Sequence, residues 1–209
     1  YLAGPANRQG RLVADNILGD SRIYEGSVGT SIAKIFDLTV ASTGLPAKRL
    51  EQEGMEFRSV ITHGSSHAGY YPGALPLTIK ITFNPKHGQL YGAQVVGFDG
   101  VDKRVDQLAL LVKKKGTIHD LMEIEHAYAP PFSSAKDPIA IAGYTAENVL
   151  LGKLKMVTWR DIVDLDPAKV QLIDVRTEAE CGASCLAGSI NIPLDDLRNR
   201  LDEVSKDKK

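Results

Sequence analysis

The sequence predicts an α+β fold: an antiparallel sheet with helices on one face, followed by a short parallel α/β unit. Three observations carry this. Leu77–Phe83 and Leu90–Val96 are strand patterns joined by a hairpin loop, Asn84–Gln89. Helical patterns then follow the strands as a block, which suits helices laid on one side of an antiparallel sheet. After Gly152–Val157 the order changes to strand, helix, strand, helix at close spacing, the signature of a parallel unit.

In chain order, Tyr1–Leu18 reads as a helix carrying Ala6, Val13, Ala14 and Ile17, with Pro5 in its first turn and Gly19 stopping it. Ser31–Ala41 reads as one strand, and Thr43–Pro46 turns the chain. A short helix over Ala47–Glu53 ends at Gly54, and Phe57–Ile61 is a further strand. Thr62–Gly73 is a loop with two histidines and two tyrosines. Asp102 is expected to cap a helix with Val105, Leu108, Ala109 and Val112 on one face, and Lys113–Lys115 complement its dipole. Thr117 with Asp120 caps a helix over Ile118, Leu121, Met122 and Ile124. Asp137 and Pro138 read as N-cap and first position of a helix ending at Leu151. Beyond the linker, Thr158 with Asp161 starts a short helix, Gln171–Val175 is a strand, Glu178–Ala183 a helical turn and Ser189–Ile192 a strand. Pro193 is expected to open a helix with Leu194, Leu197, Leu201 and Val204 on its apolar face. This last unit has roughly fifty residues, which is short for an independent core.

The apolar fraction of 43% suffices for ordinary cores, and a net charge of −1 gives no pull toward nucleic acid or membrane. No apolar run approaches the ~20 residues of a membrane span. The start at Tyr1 has no signal-peptide pattern, and with the Lys206–Lys209 ending it reads as a fragment. Cys181 and Cys185 do not amount to a disulfide framework, so a reducing cytoplasm is expected.

The segment His126–Pro138 gathers a phenol, paired prolines, two hydroxyls and a lysine between two helices. Pro130 and Pro131 cannot donate backbone hydrogen bonds, so the loop is stiff. It suits presentation of Tyr128 and Lys136 to a ligand, but on composition alone a helix–helix connector with a buried tyrosine is the favoured reading. The first helix opens among small residues, where free amides can receive a carbonyl or anion, and Arg8 and Arg11 add charge. Solvated arginines on an amphipathic helix are the plainer alternative. His63 and His67 are four apart, but the glycines around them oppose a helix and no cysteine or carboxylate partner is near, so no metal site is expected. A tyrosine of this loop either faces a ligand or packs with its hydroxyl on backbone.

Four segments in order, Leu2–Arg11 (LAGPANRQGR), Ser31–Gly44 (SIAKIFDLTVASTG), His67–Gly73 (HAGYYPG) and Tyr128–Asp137 (YAPPFSSAKD), resemble the C-terminal part of coenzyme A-disulfide reductases. These are flavin- and pyridine-nucleotide-dependent disulfide reductases, relatives of NADH oxidases and peroxidases. The resemblance covers roughly residues 1–152. From Val157 on, Leu172–Thr177 (LIDVRT) and Gly188–Leu194 (GSINIPL) resemble the first half of a rhodanese domain, a fusion also seen in persulfide reductases. The resemblance implies a division into the last helix of an FAD-binding domain (1–20), a dimerisation domain (21–152) and part of a rhodanese domain (153–209).

It further implies a homodimer whose C-terminal domain supplies groups to the partner's flavin site. Leu2, Ala3 and Gly4 would set amides on the FAD pyrimidine carbonyl, and His67 would lie near the nicotinamide cofactor, NAD(P)H. Arg8 and Lys136 match coenzyme A contacts, the guanidinium suiting phosphate. Tyr71 and Tyr128 match tyrosines that reach the active-site sulfur, and Tyr70 can exchange roles with Tyr71. No Gly-x-Gly-x-x-Gly occurs, so the dinucleotide-binding domains and the redox cysteine are expected upstream of Tyr1. Cys181 and Cys185 stand where rhodanese domains usually carry an aromatic and a histidine, and both are expected buried or incidental, since no cation adjoins either. Asp174 and Arg176 match the rhodanese framework and are taken as structural. The expected activity is NAD(P)H reduction of a coenzyme A disulfide or persulfide through FAD. An oxidase or peroxidase of the same family and an inert dimerisation module are the alternatives. Phosphate-binding cations favour the coenzyme A reading over the oxidase.

Overall fold

The computed structural model describes residues 2–208, the side chain of Arg160 excepted. The chain divides into two compact units, Tyr1–Met156 and Val157–Lys209.

The first unit opens with helix α1 (Ala3–Ile17), then strands β1 (Ser31–Ile35) and β2 (Leu38–Gly44), helix α2 (Ala47–Gln52), and strands β3 (Arg58–Ser65), β4 (Pro76–Phe83) and β5 (Leu90–Gly97). Helices α3 (Val101–Lys113), α4 (Ile118–Glu123) and α5 (Pro138–Leu150) complete it. The strands form one antiparallel sheet in the order β1-β2-β5-β4-β3. Alternation on β4 sends Leu77, Ile79, Ile81 and Phe83 to one face, where Val95, Val105, Leu108, Ile118, Leu121, Ile139 and Ala142 meet them in a single apolar core. Helix α3 lies over β5 and β2, and α5 over β3 and β4. On the opposite face the cross-strand row Val40, Val96, Thr78 and His63 stays partly open to solvent.

Two expectations for the first unit are corrected here. The run from Ser31 to Ala41 is two strands: the chain reverses at Phe36–Asp37, with Phe36 at φ 52°. That turn lacks the Asn-Gly chemistry that usually announces it, so the alternation reads straight through. Helix α3 starts at Val101 after Gly100, which adopts φ 68°, and Asp102 lies inside the first turn rather than at the cap. A Cβ at Gly100 would also meet the Arg104 guanidinium, so both conformation and space call for glycine. The capping boxes at Thr117–Asp120 and Thr158–Asp161 form as expected, and Asp137 accepts from the Ile139 amide at 3.0 Å.

Glycines set two close approaches in the first unit. Gly44 (φ 68°) faces Tyr91 O and Gly92 across the β2–β5 ladder, where a Cβ would collide with backbone. Gly143 lets α5 settle against Leu121 and Met122 of α4.

The second unit holds α6 (Trp159–Val163), β6 (Ile173–Asp174), α7 (Glu178–Ala183) and β7 (Ile190–Asn191), the two strands paired in parallel. The helix expected after Pro193 is replaced by two one-turn 3-10 segments, Leu197–Asn199 and Leu201–Glu203. Leu194 and Leu201 remain exposed, and a helix with no surface to bury its apolar face gains too little to extend. Cys181 and Cys185, read as buried or incidental and not as a disulfide framework, are joined to each other, with Cys181 half-buried and Cys185 exposed. Helix α7 ends at Ala183, and extended Ser184 (φ −166°, ψ 120°) leads to Cys185, whose Cα lies 4.7 Å from that of Cys181. The pairing removes the cysteine argument for a reducing compartment. Among the described residues no helix is long and apolar enough to cross a membrane.

Candidate functional site

Two loops of the first unit meet beside the start of α3. One, Ser66–Gly73, follows β3; the other, His126–Asp137, precedes α5. Arg104 ties them. It is 1% exposed, and its guanidinium donates to Ser66 O at 2.9 Å, Gly100 O at 3.2 Å, and both oxygens of Asp137 at 3.4 and 2.8 Å. Ser133 Oγ donates to Asp137 Oδ2 at 2.5 Å, and the Ala68 amide donates to Ser133 O at 3.0 Å. Burial alone would raise the Asp137 pKa, but hydrogen bonds from Arg104, Ser133 and the Ile139 amide outweigh it and hold the carboxyl below its usual 3.8. A buried ion pair with its lone pairs and protons this fully satisfied fixes both loops on a rigid base.

On that base the phenols come together. Tyr70 and Tyr128 hydroxyls are 2.9 Å apart although 58 residues separate them in sequence. Both rings are exposed, and the Tyr128 pKa is raised, chiefly because its hydroxyl is hydrogen-bonded to Tyr70. Tyr71, one position on, is 42% exposed and stands edge-on to His67, ring centroids 5.7 Å apart at 79°. His67 itself is buried and donates from Nδ1 to Ala68 O at 3.2 Å. Of the sequence-predicted pair, the structure therefore brings Tyr128 to Tyr70 and leaves Tyr71 beside it on the histidine. Lys136 is exposed one residue before the Asp137 cap. His126, in the same loop, has both ring nitrogens buried without a hydrogen-bond partner among the described residues, and burial lowers its pKa.

Leu2, Ala3, Gly4 and Arg8 lie on a separate surface at the head of α1. Arg8 and Leu2 line an opening of about 250 Å³ together with Pro5, Val28, Leu110 and Lys113. Lys113 holds the segment before β1 in place, donating to Glu25 O at 3.2 Å and Gly26 O at 3.4 Å. Among the described residues no side chain caps the start of α1, so its first-turn amides have no side-chain acceptor there.

Arg104, which ties the two loops, is a residue that the sequence reading missed. Its partners Ser66 and Asp137 lie 38 and 33 residues away, and on its own helix it reads as one more surface charge. The remaining cluster of potential metal ligands among the described residues is Asp174, Cys181 and Cys185. There the sulfurs are bonded to each other and Arg176 holds Asp174 at 2.6–3.1 Å, so the donors are engaged. His63 has another partner too, its Nδ1 lying 3.0 Å from Thr78 Oγ1.

Residues 30–150 match the pyridine nucleotide-disulphide oxidoreductase dimerisation domain. Coenzyme A disulfide reductase of Staphylococcus epidermidis is 40% identical over 147 residues, 70% of this chain and 33% of that one. Among solved structures, the reduced CoADR-RHD of Bacillus anthracis is 50% identical with a TM-score of 0.93, over 99% of this chain and 37% of that one. The NAD-dependent persulfide reductase of A. fulgidus is 34% identical with a TM-score of 0.88, over 98% of this chain and 37% of that one. The chain thus spans about a third of the length of the relatives it matches. A five-stranded antiparallel sheet carrying its helices on one face, with that match over 30–150, makes the chain a member of the pyridine nucleotide-disulphide oxidoreductases through their dimerisation domain.

Proposed function

We propose that this chain is the C-terminal part of an FAD-dependent NAD(P)H reductase of coenzyme A disulfide or persulfide. In this reading residues 1–20 belong to the FAD-binding domain, 21–152 form the dimer-making domain and 153–209 are part of a rhodanese domain that handles sulfane sulfur. The observation that carries the reading is the pair of loops clamped by Arg104 and Asp137, which presents Tyr70, Tyr71 and Tyr128 together to solvent.

A disulfide or persulfide reduction needs its leaving sulfur held and its developing charge met. A phenol does both by donating a hydrogen bond as negative charge gathers on the thiolate. Tyr128 is suited to this because its hydroxyl stays protonated well into alkaline pH, and Tyr70 fixes its direction. Tyr71, braced on His67, offers a second donor. Arg8 and Lys136 are solvent-exposed cations with no ion-pair partner among the described residues, available for the phosphates of coenzyme A. At the head of α1 the amides of Ala3 and Gly4, without a side-chain cap among the described residues, fit a carbonyl of the flavin, whose contribution when bound is electron transfer to the sulfur centre. The match to the dimerisation domain supports a homodimer, in which these loops would face the partner's flavin.

The test is reduction of coenzyme A disulfide by NAD(P)H in the full-length reductase carrying this segment. Arg8→Ala and Lys136→Ala are expected to raise KM about tenfold with little change in kcat, as removal of ground-state phosphate contacts should. The 209-residue chain alone is expected to show no turnover. An unchanged KM in both variants, or turnover by the isolated chain, would contradict the assignment.

A further inference from the structure

The joined cysteines of the second unit lie outside everything assigned above. Cys181 sits near the end of α7 and Cys185 two residues past it, their Cα atoms 4.7 Å apart, within the ~4.4–6.8 Å that disulfides span. Cys185 is exposed, with its Sγ 3.2 Å from Ser189 Oγ and 3.5 Å from Asp174 Oδ2. Arg176 neutralises Asp174 through a two-pronged ion pair and also donates to Ser184 O at 2.7 Å, one residue before Cys185. The turn that returns Cys185 to Cys181 is therefore anchored to β6 independently of the sulfur–sulfur bond.

A staple across three intervening residues removes less freedom from the unfolded chain than one closing a long loop, so this bond is a weaker brace than most. Accessibility and a turn held by other contacts are what a bond that opens and recloses requires. We propose that Cys181 and Cys185 are a reversible dithiol–disulfide pair that exchanges with low-molecular-weight disulfides. In the oxidising direction the exposed Cys185 thiolate attacks one sulfur of a small disulfide RSSR, forming Cys185–S–S–R and releasing RS⁻. The Cys181 thiolate then attacks the Cys185 sulfur, closing the intrachain bond and releasing the second RS⁻. Two electrons pass from the dithiol to RSSR, and the protons lost from the two cysteines are taken up by the two released thiolates. The reverse steps, driven by excess small thiol, reopen the pair. The inference concerns the second unit alone and does not depend on the reductase reading.

The test is made on the purified chain. It is reduced with dithiothreitol, freed of reductant, exposed to oxidised glutathione, quenched with iodoacetamide and weighed intact by mass spectrometry. The expected result is two alkylated cysteines before oxidation, and afterwards a chain with no alkylation and no retained glutathione. Cys181→Ser is expected to keep one glutathione, because its mixed disulfide has nothing to resolve it. A wild-type chain that keeps two alkylatable thiols after oxidation, or holds glutathione as persistently as Cys181→Ser, would overturn the proposal. Should the variant fail to fold, the wild-type masses alone still decide between intrachain closure and stable adducts.

Discussion

At the scale of single residues, the arrangement turns on Arg104 and Asp137. Replacing Arg104 with Met leaves a buried carboxylate without its cation, which costs about 3–5 kcal/mol, measurable as a loss of urea midpoint for the first unit. The same pair sets an acid limit. Asp137 has a folded pKa below 3.8, so its stabilisation is fully present above 3.8 and is lost as pH falls through the lower, folded value. His126 acts at milder pH: burial lowers its pKa below 6.5, so the unfolded chain binds the proton more readily and stability declines as pH falls through 6.5. His126→Phe is expected to flatten that first decline and leave the Asp137 step in place. Tyr70→Phe should bring the Tyr128 phenol back toward 10.0 in an alkaline absorbance titration, since the hydrogen bond that raises it is gone. The cap at Asp137 was legible because it depends on a near neighbour, the proline at the next position; the exposure of Tyr128 was not, since the loop's composition favoured a connector with a buried tyrosine. The Tyr70–Tyr128 contact and the Arg104 clamp depend on residues dozens of positions apart, and no local pattern encodes which side chains a fold will bring face to face.

At the scale of elements, β4 and β5 were legible because alternation and a hairpin loop agree, and α5 because a cap, a proline and an apolar run agree. The β1–β2 reversal was not, since Phe36 and Asp37 are unusual occupants of a two-residue turn. Phe36, 95% exposed at φ 52°, gains nothing evident from its side chain, and Phe36→Gly is expected to stabilise the hairpin by about 1 kcal/mol. Gly44 is the opposite case. Gly44→Ala forces a strained φ and a collision with Tyr91 O, and the expected loss of about 1–3 kcal/mol is read by thermal melting. The missing helix after Pro193 shows the limit of periodicity: of its four apolar residues at helical spacing only Leu197 and Val204 are partly buried, and Leu194 and Leu201 stay exposed, too little burial to extend a helix.

At the scale of the whole molecule, the two units differ in how much they bury. The first has a continuous core spanning sheet and helices, whereas in the second Ile192 is the one fully buried apolar side chain among the described residues. Limited proteolysis is expected to cut within 152–158, which lies outside helices and strands, and then to digest the second unit while the first persists. The first unit, carrying the family's dimerisation domain, is expected to sediment as a dimer. The family could be reached from four short segments in the right order, and the fold class from the order of strand and helix patterns. The shape of the site could not, because its three tyrosines are assembled by a buried arginine that the sequence presents as an ordinary helix charge.

The most direct test of the tyrosine cluster is steady-state reduction of coenzyme A disulfide by the full-length reductase with Tyr71→Phe and Tyr128→Phe, singly and together. A phenol that donates to the leaving thiolate contributes only as charge develops, so kcat should fall at least about tenfold in the double variant with KM, flavin absorbance and melting temperature unchanged. Wild-type kcat in the double variant would contradict the claim that these loops are built to hold a departing sulfur.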